Sequence, residues 1–223
     1  MPDPARPPTA APQQRGGWGA VAPLYRWQEP LQRRSVTTLL RVLAPLPGEA
    51  VLDLGAGTGL VARSLAGTGV TRLVALEPDP GMITAADNAG WPVVRGDALR
   101  VPLADASVDV VIASWLLHVL APADRAAALG EAARVLRPGG RLGAVVPAVP
   151  RTLAQQLLRR AAPVLLDRHG LGALRVPTDL PGLLTDAGLQ VRHHARTGRG
   201  YLADVVVCTR AAHPGRHRAG AHA

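Results

Sequence analysis

The chain has 223 residues, 48% of them hydrophobic, and 25 basic side chains against 16 acidic give a net charge of +9. That length suits one domain with a real core. The longest apolar run, residues 108–120, is broken by Asp109, Ser114 and His118 before the roughly 18 residues that span a bilayer, so a membrane span is excluded. All the basic residues are arginine, Phe is absent, and four Trp and two Tyr leave little aromatic surface on which bases could stack. This composition argues against a nucleic-acid partner.

Residues 1–23 are Pro-rich and polar with no apolar signal-like stretch, and read as a disordered extension of a cytoplasmic protein. Leu24–Leu46 has helical spacing and stops at Pro45 and Pro47. AVLDL (50–54) reads as a strand, 59–69 as a helix, RLVAL (72–76) as a strand, 80–90 as a helix, and 92–97 as a short strand. VDVVIAS (108–114) is a longer strand, 122–136 a helix with Pro122 in its first turn, and RLGAVV (141–146) a strand. Such βαβ alternation predicts a mostly parallel sheet with helices on both faces. Residues 151–170 and 180–190 look helical, and 189–209 reads as two strands about a Thr-Gly-Arg-Gly turn, an antiparallel hairpin closing the sheet. Cys208 in the second of these strands reads as a core residue. The tail 211–223 reads as disordered and basic, and the positive charge is concentrated in residues 150–223, with eleven Arg against four acids.

The stretch VLDLGAGTGL, residues 51–60, joins the first strand to a glycine turn and a helix. Glycines at 55 and 57 let the backbone turn sharply and approach a ligand, and the following helix start offers free N–H groups. A dinucleotide loop of the form G-x-G-x-x-G, counted from Gly55, needs its third glycine at position 60, where Leu60 stands; the glycine comes one residue early, at Gly59. Asp53, two residues before the turn, would repel a pyrophosphate but suits a ligand with an ammonium group.

Four motifs follow in order: VLDLGAGTGL, VALEPDPGMI with an acid at the end of the second strand, RGDALRVPLADASVDVVIAS, and RVLRPGGRL. With them the chain resembles the class I S-adenosylmethionine-dependent methyltransferases, and is similar to the compact quinone-biosynthesis, or type 11, group over residues 24–209. The resemblance implies a single-domain Rossmann-like fold over 24–210, a seven-stranded sheet, and a substrate-covering insertion at 147–178. It implies S-adenosylmethionine as cofactor and S-adenosylhomocysteine as product. Asp53, Gly55, Ala56, Gly57, Thr58 and Gly59 would lie at the methionine part. Glu77, followed by Pro78 and Asp79, would accept the ribose hydroxyls. Met82, Asp97 and Ala98 would hold the adenine, and Ser114 and Trp115 would stand where the methyl emerges.

His118, after the fourth strand, is the candidate general base, because histidine takes a proton near neutral pH. His193 and His194 are adjacent in a strand, point to opposite faces and read as ordinary strand residues. No His, Asp and Cys cluster has metal-ligand spacing, so no metal is expected. The segments that cover the site in similar enzymes contribute Tyr25, Trp27, His118 and Arg151 as candidate substrate contacts, with Arg159, Arg160 and Arg168 nearby in sequence. The reading is methyl transfer by in-line displacement to an O or N, or a C, nucleophile of a small-molecule acceptor. An RNA methyltransferase using the basic C-terminal third, and a cofactor-binding partner subunit without turnover, stay open as alternatives. The oligomeric state is left open.

Overall fold

The computed structural model describes residues 17–148, 176–198 and 202–211. After a 3-10 turn at Trp18–Val21, helix α1 (Ala22–Leu43) leads into β1 (Ala50–Leu54), α2 (Leu60–Leu65), β2 (Arg72–Glu77), α3 (Pro80–Ala85) and β3 (Val93–Arg95). Then come β4 (Val108–Ser114), α4 (Pro122–Val135), β5 (Leu136–Pro147), α5 (Leu180–Asp186), β6 (Leu189–Thr197) and β7 (Ala203–Arg210). Seven strands form one sheet in the order β3-β2-β1-β4-β5-β7-β6. The first five are parallel, and β7 runs antiparallel between β5 and β6. The expected parallel frame with an antiparallel C-terminal pair is thus what the chain forms.

Every residue of β1 is buried, as an apolar run in a central parallel strand requires. Successive side chains point to opposite faces, so β1 and β4 feed two cores at once. Val51, Val110 and Ile112 pack with Val36, Leu39 and Leu43 of α1, while Leu52 and Val111 pack with Leu129, Ala132 and Val135 of α4. Helix α1 lies so close to the sheet that a Cβ on Gly143 of β5 would stand 2.7 Å from Leu39 Cδ1. Cys208 is buried in β7, and burial pushes its thiol up to about 12, which leaves it chemically quiet.

Several element ends differ from the sequence reading, each for a local reason. Helices α2 and α3 stop four or five residues early because Ala66 (ψ 129°) and Ala86 (ψ 135°) turn to extended backbone, with the left-handed Gly67 directly after the first. Strand β5 begins earlier than expected: Leu136 already pairs with Val108, and the next pair is Val110 with Arg141, so Arg-Pro-Gly-Gly is absorbed as a bulge. The described residues also carry structure inside the stretch expected to be an extension, with α1 beginning at Ala22 and the 3-10 turn before it. Most of the insertion expected at 147–178, Arg151 included, lies outside the described residues. Among the described residues no helix is long and apolar enough to cross a membrane.

Asp109 ties the bulge to β1. Its Oδ2 accepts the Ala50 N–H at 2.8 Å and its Oδ1 accepts from Arg137 Nη1 at 2.5 Å. Burial pushes the Asp109 carboxyl up, but the Ala50 N–H and the Arg137 guanidinium outweigh it and hold the group below its ordinary range. A depressed carboxyl stabilises the fold above its unfolded-state pKa and loses that contribution as pH falls through the folded one. Asp109→Ala is therefore expected to cost about 1–3 kcal/mol near neutral pH by orphaning the Ala50 N–H. Denaturant unfolding from about pH 6 to about pH 3 should show that gap narrowing below about pH 4, and a gap that stays constant would contradict this account.

Candidate active site

The sheet reverses its direction of growth between β1 and β4, since β2 and β3 are added on one side of β1 and β4 and β5 on the other. In open parallel sheets the crevice for a ligand opens at this switch, beyond the carboxyl ends of the strands. A cleft partly open to solvent lies there. Its walls are Gly55 and Gly57 after β1, Glu77 and Pro78 at the end of β2, Met82 on α3, and Asp97 and Ala98 after β3. Trp115, Leu116, Val119 and Leu120 after β4 and Trp18 and Tyr25 from the N-terminal segment close it.

The glycine turn is built from three left-handed residues, Gly55 (φ +77°), Gly57 (φ +53°) and Gly59 (φ +84°), a conformation that costs side-chain-bearing residues energy. Gly55 and Ala56 donate their N–H groups to the Leu76 carbonyl at 2.9 and 3.0 Å, which pins the turn to β2. A Cβ on Gly59 would stand 2.4 Å from the Asp87 carbonyl oxygen, and one on Gly55 would stand 2.9 Å from Leu116 Cδ1, whereas one on Gly57 would meet nothing within 4 Å. Gly57 thus faces open cleft, while Gly59 packs against the loop after α3. Thr58 turns away to donate from Oγ1 to Glu29 Oε1 at 3.0 Å, and Arg63 reaches the same oxygen at 2.5 Å. Among the expected glycine-turn contacts, Gly55 and Gly57 reach the cleft wall; Ala56, Thr58 and Gly59 instead hold the turn in shape.

Three carboxylates follow three different logics. Glu77 accepts the Gly57 N–H at Oε2 (2.9 Å) and the Asp79 N–H at Oε1 (3.0 Å), so each oxygen keeps acceptor capacity beyond the bond it already has. Burial raises its pKa, and those two N–H groups partly offset the rise. Asp53 is 1% exposed, and both of its carboxylate oxygens are buried without a hydrogen-bond partner among the described residues. Burial, reinforced by the Glu77 charge, pushes its carboxyl up to about 8. Asp79 departs from the sequence reading. Its Oδ1 accepts from Gly81, Met82 and Gly19 and its Oδ2 from Gly17 and Trp18, so the group expected to touch a ligand is spent on five backbone amides and is absent from the cleft wall.

After β3, Asp97 Oδ1 accepts the Leu99 N–H at 3.0 Å, an arrangement that fixes the side chain beside the buried Ala98. After β4, Trp115 takes φ +57° and donates its backbone N–H to Val145 at 2.9 Å, which turns the chain across the cleft. Ser114, the last residue of β4, is half-buried and is not among the wall residues.

His118, the candidate general base, is placed off the cleft wall. The side chain is 4% exposed, stands edge-on to Trp115 with ring centroids 5.8 Å apart, and does not line the cleft. Burial, with the Arg125 charge adding to it, holds its pKa down to about 3, so it is a poor proton acceptor. Of the other candidate substrate contacts, Tyr25 reaches the cleft; Trp27 is 73% exposed and away from it. Arg151 lies outside the described residues. Trp18, Leu116, Val119 and Leu120 are wall residues that sequence reasoning missed. The three aliphatic ones sit within two to six residues of Ser114, and their place just past a strand end at the sheet reversal was the available signal. Among the described residues no group of three or more His, Cys, Asp or Glu is arranged to hold a metal.

Comparison with known proteins bears directly on this geometry. Residues 52–144 match the family described as "Methyltransferase domain". A demethylmenaquinone methyltransferase of Corynebacterium kroppenstedtii is 38% identical over 128 residues, which cover 55% of each chain. The chain thus spans about half the length of the curated relatives it matches. In fold, it resembles a chain of the complex between the Haloferax volcanii Trm112 methyltransferase activator and a methyltransferase, with a TM-score of 0.72, 20% identity, and coverage of 88% of this chain and 99% of that one. It also resembles magnesium protoporphyrin IX methyltransferase of Synechocystis, solved with bound S-adenosylhomocysteine, with a TM-score of 0.60, 21% identity, and coverage of 79% and 81%. Residues 52–144 thus match a methyltransferase domain, and the sheet that carries them has the fold of the solved methyltransferases named above.

Proposed function

We propose that the chain is an S-adenosylmethionine-dependent methyltransferase acting on an O or N, or a C, nucleophile of a small, flat, quinone-like acceptor. One observation carries this reading: the Gly57 N–H donates to Glu77 Oε2, which joins the glycine turn and the acid after β2 on the wall of one cleft. The residues present fit such a ligand. Gly57 faces open space where any side chain would intrude, and the orphaned Asp53 carboxylate is the kind of buried acid that an ammonium would satisfy, directly or through water. Glu77 has acceptor capacity for two neighbouring hydroxyls. Met82 and Ala98 offer apolar surface to a base, with the Asp97 carboxylate nearby as an acceptor, and Pro78 continues that wall.

When bound, the cofactor supplies a methyl group on a sulfonium, a carbon already activated for in-line attack. The chain's part is alignment and the exclusion of water. Trp115, Leu116, Val119 and Leu120 give the cleft an apolar side, with Ser114 at the strand end behind them. Such a wall suits an aromatic acceptor better than a charged one. The name of the Corynebacterium relative, a demethylmenaquinone methyltransferase, supports the same class of acceptor. With His118 buried and off the wall, we assign no general base.

Calorimetric titration is expected to show one saturable site for S-adenosylmethionine and for S-adenosylhomocysteine and none for NADH. Gly57→Val should weaken both by more than about tenfold, a loss of about 1.4 kcal/mol, with unfolding still cooperative; affinities equal to wild type would remove the glycine turn from the site.

Asp53 generates a second prediction. A carboxyl whose folded pKa is raised contributes most below its unfolded value and becomes destabilising as pH rises towards the folded one. Asp53→Asn should therefore raise the Tm of the ligand-free protein, with a gain that grows from about pH 4 to about pH 8 and reaches a few kcal/mol, while weakening ligand binding. Titrations of wild type at neutral pH in buffers of different ionisation enthalpy should reveal proton release on binding, as the arriving ammonium ionises the acid. A variant that neither gains stability nor loses affinity would remove Asp53 from this role.

A further inference from the structure

The Asp79 carboxylate is 4% exposed and serves two elements far apart in sequence. It caps α3 by accepting from Gly81 (2.8 Å) and Met82 (3.0 Å). It also accepts the N–H groups of Gly17 (3.2 Å), Trp18 (3.1 Å) and Gly19 (3.1 Å), all at the start of the 3-10 turn, which has no capping side chain of its own. The seam beside it is built from glycine: a Cβ on Gly19 would stand 2.5 Å from Gly81 Cα, and a Cβ on Gly81 would stand 2.6 Å from Gly19 Cα. Backbone meets backbone there, and neither position has room for a methyl group. The product of this docking is the placement of Trp18, which lines the cleft and meets Tyr25 edge-on, centroids 5.8 Å apart at 77°.

We propose that the 3-10 turn Trp18–Val21 is a docked wall of the cofactor cleft, in which Trp18 contacts the ligand and Asp79 and the Gly19–Gly81 seam are positioning elements. The inference rests on the cleft being the cofactor site proposed above. Asp79 follows Glu77 and Pro78 directly, so the turn is fastened to the strand end that carries the acid assigned to the ribose. Docking and ligand binding then favour each other, as linkage requires: whatever loosens the turn weakens the ligand, and the ligand tightens the turn.

The test uses S-adenosylhomocysteine as probe and the full chain. Gly81→Ala adds a Cβ 2.6 Å from Gly19 Cα and 3.1 Å from Asp79 Oδ1, so it presses on the seam and on the cap, and unchanged amide exchange in α3 is the control that assigns a loss of affinity to the seam. Gly81→Ala and Gly19→Ala are each expected to raise the Kd about tenfold, within the range of ordinary coupling, and to speed amide exchange of residues 17–21 while exchange in β1 and β4 is unchanged. Trp18→Ala should raise the Kd similarly. In wild type, the probe should slow exchange of residues 17–21. If wild type binds the probe but either glycine variant frees the turn with no change in Kd, or Trp18→Ala binds as wild type does, the wall and its Trp18 contact are overturned. Failure of wild type to bind at all would instead overturn the assignment of the cleft itself.

Discussion

The site depends on what the Glu77 carboxylate does before any ligand arrives. Its two oxygens take the Gly57 N–H and the Asp79 N–H, so one side chain clamps the turn after β1 to the turn after β2. Each turn has further anchors: Gly55 and Ala56 donate to the Leu76 carbonyl in the first, and the Asp79 carboxylate accepts the Gly81 and Met82 amides in the second. The first is made of left-handed glycines whose freedom costs entropy to freeze, and the second leads into a helix of only six residues. A buried acid with satisfied oxygens converts two loops into one rigid edge. It also explains why glutamate is suited to this strand end: a basic residue would have no acceptors to offer either amide.

Asp79 extends the same logic outward. Glu77 fixes its backbone N–H, and its side chain in turn fixes the starts of α3 and of the N-terminal turn. The cleft wall is therefore a chain of capped ends, each anchored to the next, that begins at a single strand terminus. Apolar packing backs the rest of the wall: Ala98 and Leu120 belong to one core and Trp115 to the other. The two cores lie on the faces of the sheet, and the cleft lies beyond the strand ends, where backbone amides outnumber side chains able to satisfy them.

Much of this was legible in the residues, and the limits follow from range. Strands β1 and β4 are continuous apolar runs between turn residues, and the local pattern decided them. The glycine spacing at 55, 57 and 59 pointed away from a dinucleotide loop without any tertiary information. The ends of α2 and α3 were overrun because Ala66 and Ala86 leave the helix for extended backbone, a step of which alanine, the best helix former, gives no local sign. The bulge at 137–140 was hidden because it exists only in the pairing of β5 with β4. Trp18 was out of reach for the same reason: its place is set by a carboxylate 61 residues away. The surroundings of His118 were likewise out of reach: its place after a strand end is local, whereas its burial beside Trp115, which bears on whether an imidazole takes a proton, is a property of the packed fold.

Asp53 then poses the sharpest question of cost. An acid in the middle of a fully buried strand, with neither oxygen hydrogen-bonded among the described residues, opposes folding unless it is neutral or matched. Leu52 and Leu54, next to it in the strand, send their side chains to the opposite face, and the Glu77 charge adds to the cost of ionising it. In the function proposed above that cost is offset by a cation brought from outside, while Glu77 joins the turns after β1 and β2 whether or not a ligand is present.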